Sequence, residues 1–404
     1  MKKNFPFLLF FALFPVISNS QDSITPYSLP PTLSLNIDAE GFFYNTEYST
    51  PFSKGYTVTG FRLSPTLVYD INERAQLHVG FNAMMFAGLD SLYMLRPTMT
   101  LLYKPAPWLT LAAGTLINDE SRTENYTPLH LYTTTPLHHY TLTPLHQLPA
   151  PVIDPARHFF HYQEDGIQIL TNTKAWNSDT WLDWTHYLVP WTPDQELFTM
   201  GSRHIFTILN YTITPLHNYT LSIPAHFMAS HRGGELKTID TNTVTTFNES
   251  VGLRFNFTIT PEHHYTVHQL TLDLPLFFYH LDNNVDHGGK AFYPTLSYTF
   301  TRLHDYTIHT SLGFWHGDHY FSALGDPLFW SINDYSLQHI PFTVNTQAFN
   351  PDLRNLLTYT LSFEHSFKGI ALGLKVDALH DIDLKTNDFI FSFFLNYNGL
   401  FKIK

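Results

Sequence analysis

The sequence has no cysteine, little charge and no long hydrophobic stretch after its first twenty residues. Without cysteine, the chain cannot form disulfides, bind metals through thiolates or carry a lipid on an N-terminal cysteine. Charged residues make up 14% of the 404 residues, against roughly 25% in soluble domains, so a fully hydrated surface is hard to build. No later segment has the roughly 20 apolar residues of a membrane-spanning helix. The net charge of −12 argues against nucleic acid, which requires clustered Lys and Arg, so we predict no nucleic-acid partner.

The first twenty residues have the form of a secretory signal peptide. Lys2 and Lys3 precede an apolar run from Phe5 to Ile17, and small residues follow at 18–20. A retained N-terminal anchor is the alternative, but the run is too short to cross a bilayer as a helix. We predict that residues 1–20 are removed and that 21–32 form a short periplasmic segment.

The strongest signal is an alternation of apolar and polar residues with a period of two. Because successive side chains of a strand point to opposite faces, each alternating run predicts a strand with one apolar face. Similar runs occur at 76–85, 250–259, 292–300 and 357–364, and each has about the length of a tilted membrane-spanning strand. In the last run, the apolar parity consists of Phe389, Phe391, Phe393, Leu395, Tyr397 and Phe401.

Short and long connections alternate between these runs. The short ones lie near 72–74, 104–107, 177–179, 214–217, 260–263, 302–305 and 367–369. Most precede an aromatic residue such as Trp108 or Trp181, which is typical of a membrane-interface girdle. The long ones lie near 45–56, 89–91, 119–165, 190–198, 233–245, 283–289, 320–353 and 383–387.

This pattern predicts an all-β fold: a closed antiparallel transmembrane β-barrel of about sixteen strands over residues 33–404. Short periplasmic turns and long outer loops are expected. Closure is required because lipid offers no hydrogen-bond partners to strand edges. A soluble β-sandwich that buries the aromatic faces against each other is the alternative.

The third long loop, 119–165, contains a tandem octapeptide at 127–150 that reads TPLHLYTT, TPLHHYTL, TPLHQLPA. Eight residues cannot cross a membrane and return, so the copies do not add hairpins. A loop of this length is unusual and often functional. Two interpretations stay open: a constriction folded into the lumen, or a duplication tolerated in a surface loop.

Ten charged residues fall on the inward-facing parity of the predicted strands. A lumen lined by both signs of charge can discriminate solutes, although the same residues would also serve simply to keep the lumen wet. We expect Arg62 and Arg96, on nearby strands, to face acidic residues across the lumen. The lumen-lining candidates are Asp38, Glu40, Arg62, Arg96, Asp183, Arg254, Asp273, Glu364, Lys375 and Asp377.

No enzymatic or metal chemistry has a recognisable signature. The 24 histidines include the pairs His138-His139 and His263-His264, but neighbours on a strand point opposite ways and cannot chelate together. Neither HExxH nor GxSxG occurs. We therefore predict that the chain is not an enzyme and binds no cofactor or metal. A His and a Ser on a barrel wall, as in an outer-membrane phospholipase, would leave no local motif.

The alternation, the turn–aromatic pattern and the terminal strand resemble those of porin-like outer-membrane proteins of Gram-negative bacteria, over essentially the whole mature chain. The segments 164–168 and 181–184 are similar to a recurring segment in such barrels. Phe401 has the parity of the terminal signal that the assembly machinery reads, but Lys402-Ile403-Lys404 follow it. The resemblance implies an outer-membrane location, contact with outer-membrane lipid and lipopolysaccharide, and insertion by the barrel assembly machinery. Whether three copies associate as a homotrimer stays open.

The function expected from this resemblance is a channel for small hydrophilic solutes. One alternative is a barrel with a plugged lumen that acts as a structural or adhesion protein through its outer loops. A further alternative is a barrel hydrolase of the phospholipase type.

Overall fold

The chain closes on itself as a β-barrel whose first and last strands pair. The computed structural model describes residues 32–50, 53–117, 145–187, 195–214, 216–233, 244–260, 266–282, 287–302, 306–332, 352–367 and 369–403. Between the strands lie one short helix, α1 (Arg157–Phe160), and 3-10 turns at Leu145–Gln147 and Pro327–Phe329. The strands are β1 (Leu33–Glu47), β2 (Thr57–Asn72), β3 (Ala75–Phe86), β4 (Met94–Ala106), β5 (Leu109–Thr115), β6 (Asp165–Asn172), β7 (Trp176–His186), β8 (Glu196–Thr214), β9 (His217–Gly233), β10 (Val244–Ile259), β11 (Thr266–Asp282), β12 (His287–Phe292), β13 (Thr295–Arg302), β14 (Tyr306–Asp318), β15 (Leu353–Phe367), β16 (Ile370–Asp381) and β17 (Thr386–Lys402).

All strand pairs are antiparallel, and the ring is closed by β1, which lies between β2 and β17. Ala39 of β1 is opposite Leu63 on one side and Tyr397 on the other. Strands β12 and β13 lie end to end and both pair with β11 and β14. They are two halves of one strand, interrupted at Pro294 because proline has no N–H for the ladder. The barrel therefore has sixteen spanning strands, and the predicted closed antiparallel barrel is confirmed.

Short turns join the strands at one end of the barrel and long loops join them at the other, as predicted. The prediction of a turn at 177–179 is wrong, because these residues belong to β7. The turn lies at 173–175, where the Thr173 hydroxyl donates to the Trp176 carbonyl and accepts from the Trp176 N–H. Trp181 is consequently not an interface residue. It lies within β7, faces the lumen and is buried.

The two faces of the wall separate by polarity. Outward side chains are large and apolar: Leu95, Met99 and Leu312 expose 63%, 60% and 61% of their surface. Water would make such exposure costly, whereas hydrocarbon does not. In the described ranges, no helix is long and apolar enough to span a membrane. A single closed sheet is also incompatible with the alternative of two stacked sheets.

Two loop segments fold into the barrel at its long-loop end. We call residues 145–164 and 319–332 the plug. Its two segments bond to each other, since the Tyr320 hydroxyl donates to the Pro151 carbonyl (3.0 Å) and the Ser322 hydroxyl donates to the Val152 carbonyl (3.0 Å). The plug therefore folds as one unit inside the lumen.

The plug spans the lumen from one part of the wall to the opposite part. Phe42 on β1 and Met228 on β9 are eight spanning strands apart around the ring, yet they belong to one buried hydrophobic cluster with the plug. Arg354 of β15, fully buried, donates to the Leu328 carbonyl (2.8 Å) and to Asp381 (2.9 Å). Apolar burial and this buried arginine together hold the plug against the wall. The main plug residues of the cluster are Val152, Ile153, Phe159, Tyr320, Phe321, Leu328 and Ile332.

Candidate functional site

The ten charged residues predicted to line the lumen lie at inward-facing positions of their strands, but their ion pairs are local. Arg62 binds Glu40 (2.9 Å) on the adjacent strand, and Arg96 binds Asp165 (2.7 Å) two strands away. The expected interaction across the lumen is therefore not formed, because a counter-charge on the same stretch of wall is much closer. Their role in solute selectivity stays a prediction. The remaining ion pairs within the set are Arg62–Asp38 (3.2 Å), Arg254–Asp273 (2.6 Å) and Lys375–Asp377 (2.9 Å).

Two predicted lumen residues instead hold the plug. Glu40 accepts from the Nε2 atom of His158 in α1 (2.9 Å). The Arg62 guanidinium lies 3.5 Å from the centre of the Tyr162 ring, a cation–π contact. Charged wall residues thus anchor the segment that closes the lumen.

A buried histidine joins the start of the plug to the wall. His146 Nδ1 lies 2.7 Å from Asp179 Oδ2, and its Nε2 lies 2.8 Å from Glu164 Oε2. Burial alone would lower the pKa of His146, but the Asp179 and Glu164 carboxylates raise it to about 9. His146 is therefore a cation at neutral pH, shared between two carboxylates. Its ring also stacks on Trp181, with centroids 3.5 Å apart.

The backbone at this point is strained. His146 and Gln147 have φ values of 64° and 53°, in the left-handed region that non-glycine residues rarely occupy. Such strain persists only where the surroundings hold it, and it concentrates at functional positions. His146 belongs to the third TPLH copy. The first two copies lie outside the described residues, so the structure decides neither interpretation of the repeat as a whole.

Gly201 on β8 allows the Trp181 ring to lie flat against the wall. A Cβ at Gly201 would lie 2.3 Å from the Trp181 ring. We expect Gly201→Ala to destabilise the barrel by about 1–3 kcal/mol, because the rigid ring must move and its stack on His146 is lost. Urea unfolding in lipid vesicles measures this change. Gly41→Ala on β1, where nothing lies within 4 Å of the new Cβ, is the matched control and should be near neutral; equal effects would contradict the packing argument.

On the short-turn side of the plug, four polar residues form a row across neighbouring strands. Asp179 on β7 is the cross-strand partner of Arg203 on β8. Arg203 in turn is opposite His226 on β9, and His226 is opposite Ser250 on β10. Ser250 Oγ lies 2.7 Å from His226 Nδ1. The plug forms the roof of this site, since Asn248 donates to the Phe321 carbonyl (2.7 Å).

The wall is interrupted next to this row. Pairing of β9 with β10 runs to Ala225 opposite Val251 and resumes only at Ser222 opposite Arg254. Pro224 cannot donate to the ladder. Gly252 lies opposite Pro275 of β11, and a Cβ there would come within 2.7 Å of the Pro275 Cα. Backbone hydrogen bonds are thus missing from the wall immediately beside Ser250.

The alternating run at 250–259 predicts a strand with Ser250 on its polar face, but it does not indicate that Ser250 meets His226. The two are 24 positions apart and belong to no short motif. Only the register between β9 and β10 brings them together. A serine hydroxyl hydrogen-bonded to an imidazole is the arrangement in which a nucleophile meets its general base, which makes these two residues the candidate site.

Comparison with known proteins gives one family match and several likenesses of fold. The family described as "Lipid A 3'-O-deacylase-type" matches residues 24–131 and 141–404. No curated protein matches the chain. The solved structures that resemble it include a loop L8 deletion mutant of OmpT, an outer membrane protein of Vibrio cholerae, with 10% identity, a TM-score of 0.49 and coverage of 91% of this chain and 99% of that one.

Two further structures have similar scores. OmpT of Vibrio cholerae in trimer form has 9% identity, a TM-score of 0.46 and coverage of 91% and 99%. An anion-selective porin from Comamonas acidovorans has 10% identity, a TM-score of 0.46 and coverage of 92% and 99%. The prediction of a porin-like outer-membrane barrel is confirmed by the closed ring of antiparallel strands and by the family match. With its closed sixteen-stranded wall and apolar exterior, the protein belongs to the bacterial outer membrane.

Proposed function

The chain belongs to the Lipid A 3'-O-deacylase-type family, and from this premise and the geometry of its lumen wall we propose that it hydrolyses an acyl ester of lipid A. The observation that carries the proposal is the 2.7 Å contact between Ser250 Oγ and His226 Nδ1. Ser250 would be the nucleophile and His226 the general base.

The prediction that the chain is not an enzyme is wrong, because the matching family is a family of enzymes. The prediction rested on the absence of short catalytic motifs. In a barrel, however, a nucleophile and its base can lie on different strands, so local sequence carries no trace of the pair.

The proposed reaction proceeds in two steps, acylation of Ser250 and hydrolysis of the acyl-enzyme. The Ser250 oxygen forms a bond to the ester carbonyl carbon while its proton moves to His226. The bond from that carbon to the sugar oxygen then breaks, and His226 returns the proton to the leaving oxygen. Water next adds to the acyl carbon, giving its proton to His226, and Ser250 leaves with that proton. The products are a free fatty acid and lipid A with one more hydroxyl.

An acyl chain would reach Ser250 through the wall, at the interruption between β9 and β10. The outward residues there, Ala225, Val251 and Leu253, are apolar, and the last two are exposed to lipid. Because Pro224 leaves the ladder incomplete, separating these strands costs fewer hydrogen bonds there than elsewhere. The plug closes the site from the long-loop end.

Expression of the full chain in the outer membrane of a Gram-negative host tests the proposal. Mass spectrometry of extracted lipid A should detect the loss of one acyl group and the appearance of the corresponding free fatty acid. Unchanged lipid A in cells that contain the folded barrel would contradict it.

Passage of small hydrophilic solutes is a second candidate, favoured by the hydroxyl-rich lumen on the short-turn side, which includes Ser64, Thr98, Ser297, Thr360 and Ser362. Since the plug lies across the lumen at the other end, we expect solute passage to require movement of the plug. Planar-bilayer recordings should therefore register little conductance from the intact chain, and a large steady conductance would favour the channel over the closed barrel.

Binding of lipopolysaccharide, insertion by the barrel assembly machinery and association into a homotrimer remain predictions. So do the removal of residues 1–20, which lie outside the described residues, and adhesion through the outer loops. Chemical cross-linking of the purified barrel tests the homotrimer, for which a ladder ending at three copies is expected and a single band is the contrary result.

A further inference from the structure

One arginine of the lumen wall near Ser250 differs from its charged neighbours in its partners. Arg254 is paired with Asp273 (2.6 Å), and Asp179 is engaged by His146 (2.7 Å). Arg203 lies between these two pairs along the wall and, among the described residues, has no carboxylate oxygen within 4 Å. Arg203 is therefore an arginine on this part of the lumen wall that forms no ion pair with a described carboxylate.

Asp179 forms no ion pair with Arg203, although the two are cross-strand partners. One oxygen of Asp179 contacts His146 and the other accepts from Gln168 (2.9 Å). Both carboxylate oxygens are thus already bound, and the aspartate is directed towards the plug.

The Arg203 side chain is held in place. Its Nη1 donates to the Asn177 Oδ1 atom (2.9 Å) on β7. In the described part of the chain, the other guanidinium nitrogens have no hydrogen-bond acceptor. A guanidinium presents several donors in a fixed plane and binds oxyanions through two of them at once. Arg203 is therefore oriented for a ligand that the chain itself does not supply.

Neighbouring groups add to the same site. His226 is the cross-strand partner of Arg203, and its Nε2 has no hydrogen-bond partner among the described residues. Arg254 lies on β10 one inward position beyond Gly252.

We propose that Arg203, oriented by Asn177 and flanked by His226, binds an oxyanion of the phosphate class beside Ser250. The site deepens the proposed function, since it rests on hydrolysis of lipid A for its role as the anchor of a substrate phosphate. The same chemistry would also bind free inorganic phosphate, and the experiment separates these two sources.

Binding to the purified full-length barrel in detergent micelles tests the proposal by isothermal titration calorimetry. The probes are inorganic phosphate, lipid A with its phosphates, and the same lipid after enzymatic dephosphorylation. The protein carries Ser250→Ala, so that no turnover disturbs the measurement. Arg203→Gln is expected to weaken binding at least tenfold, with partial recovery in Arg203→Lys, which keeps the charge but not the paired donors.

Arg96→Gln is the matched control, because Arg96 lies on the wall but is paired with Asp165 and is half-exposed. It should leave binding within about twofold, and heat-modifiable gel mobility verifies folding of every variant. If lipid A binds only while it carries its phosphates, and this binding requires Arg203, the ligand is a lipid phosphate. Binding of inorganic phosphate alone, with the same dependence on Arg203, supports a free anion at the site.

The proposal is overturned if no probe binds, or if Arg203→Gln binds as tightly as the parent. Because these measurements do not depend on turnover, they are separable from failure of the proposed function. If the barrel binds phosphate through Arg203 but releases no fatty acid, the result supports the anion site and contradicts the proposed esterase activity.

Discussion

Ser250→Ala is expected to lower the rate of fatty acid release from lipid A by about 1,000-fold or more. Alanine has no oxygen to form the acyl-enzyme, so the two-step route through Ser250 is removed. His226→Gln should lower the rate by a comparable factor, because the amide cannot accept the serine proton. The two losses should not add in the double variant, since both residues serve one step. The measurement is fatty acid release by purified barrel in mixed micelles.

The matched control is Ser230→Ala. Ser230 lies on the inward face of β9, like His226, and is as buried as Ser250. No side-chain hydrogen bond joins it to another residue among those described. It should retain activity within about twofold. Equal losses in Ser230→Ala and Ser250→Ala would show that packing of the lumen, rather than a nucleophile, limits the rate.

His146→Ala is expected to release the plug from the wall. The substitution leaves the Asp179 and Glu164 carboxylates facing each other without their shared cation, at a cost of about 3–5 kcal/mol. The absence of cysteine permits a clean assay: Ala156→Cys introduces one thiol into the buried plug cluster. Its labelling by a water-soluble thiol reagent should rise by on the order of 100-fold in His146→Ala.

His161→Ala is the control for this assay. His161 lies in the same plug segment but is exposed and has no carboxylate within 4 Å among the described residues. Its loss should change the labelling rate little. If both variants label at the same rate as the parent, the His146 contacts do not determine closure.

The plug should also loosen as pH rises. The folded-state pKa of His146, about 9, lies above its ordinary value of 6.5. The stabilisation is therefore complete below pH 6.5 and is lost as pH rises through 9, by about 3 kcal/mol in total. Burial of Asp154 and Asp326 in the plug raises the pKa of both carboxyls. Their ionised forms therefore favour the open state, so a rise in pH loosens the plug through these two groups as well. The ratio of labelling at Ala156→Cys to labelling at exposed Leu89→Cys should rise with pH and flatten in His146→Ala; a ratio that falls would contradict the linkage.

The barrel was predictable from sequence because its cause is local. Alternation along 9–12 residues fixes which side chains meet lipid, and it assigned the inward parity of residues such as Glu40 and Arg254 without knowledge of their partners. The sixteen strands followed from counting connections. The turn predicted at 177–179 was misplaced because this prediction also used only local sequence. Three consecutive polar residues are typical of a turn and equally of the end of a strand that faces the lumen.

The plug and the site were not predictable, because their causes are distant in sequence. Val152 and Tyr320 pack together across 168 positions, and neither segment has a periodicity that would indicate burial. His226 and Ser250 meet only through the register of β9 with β10. The octapeptide was a signal for His146, but nothing in it indicated that Asp179 and Glu164 would receive this histidine.

The most direct test of the account is covalent labelling of the folded barrel with a fluorophosphonate, which reacts with activated serine hydroxyls. Peptide mass analysis should locate the label on Ser250, and labelling should disappear in His226→Gln while Ser230→Ala is labelled as before. A label on another serine, or an unlabelled barrel that still releases fatty acid from lipid A, would contradict the assignment of Ser250 and His226.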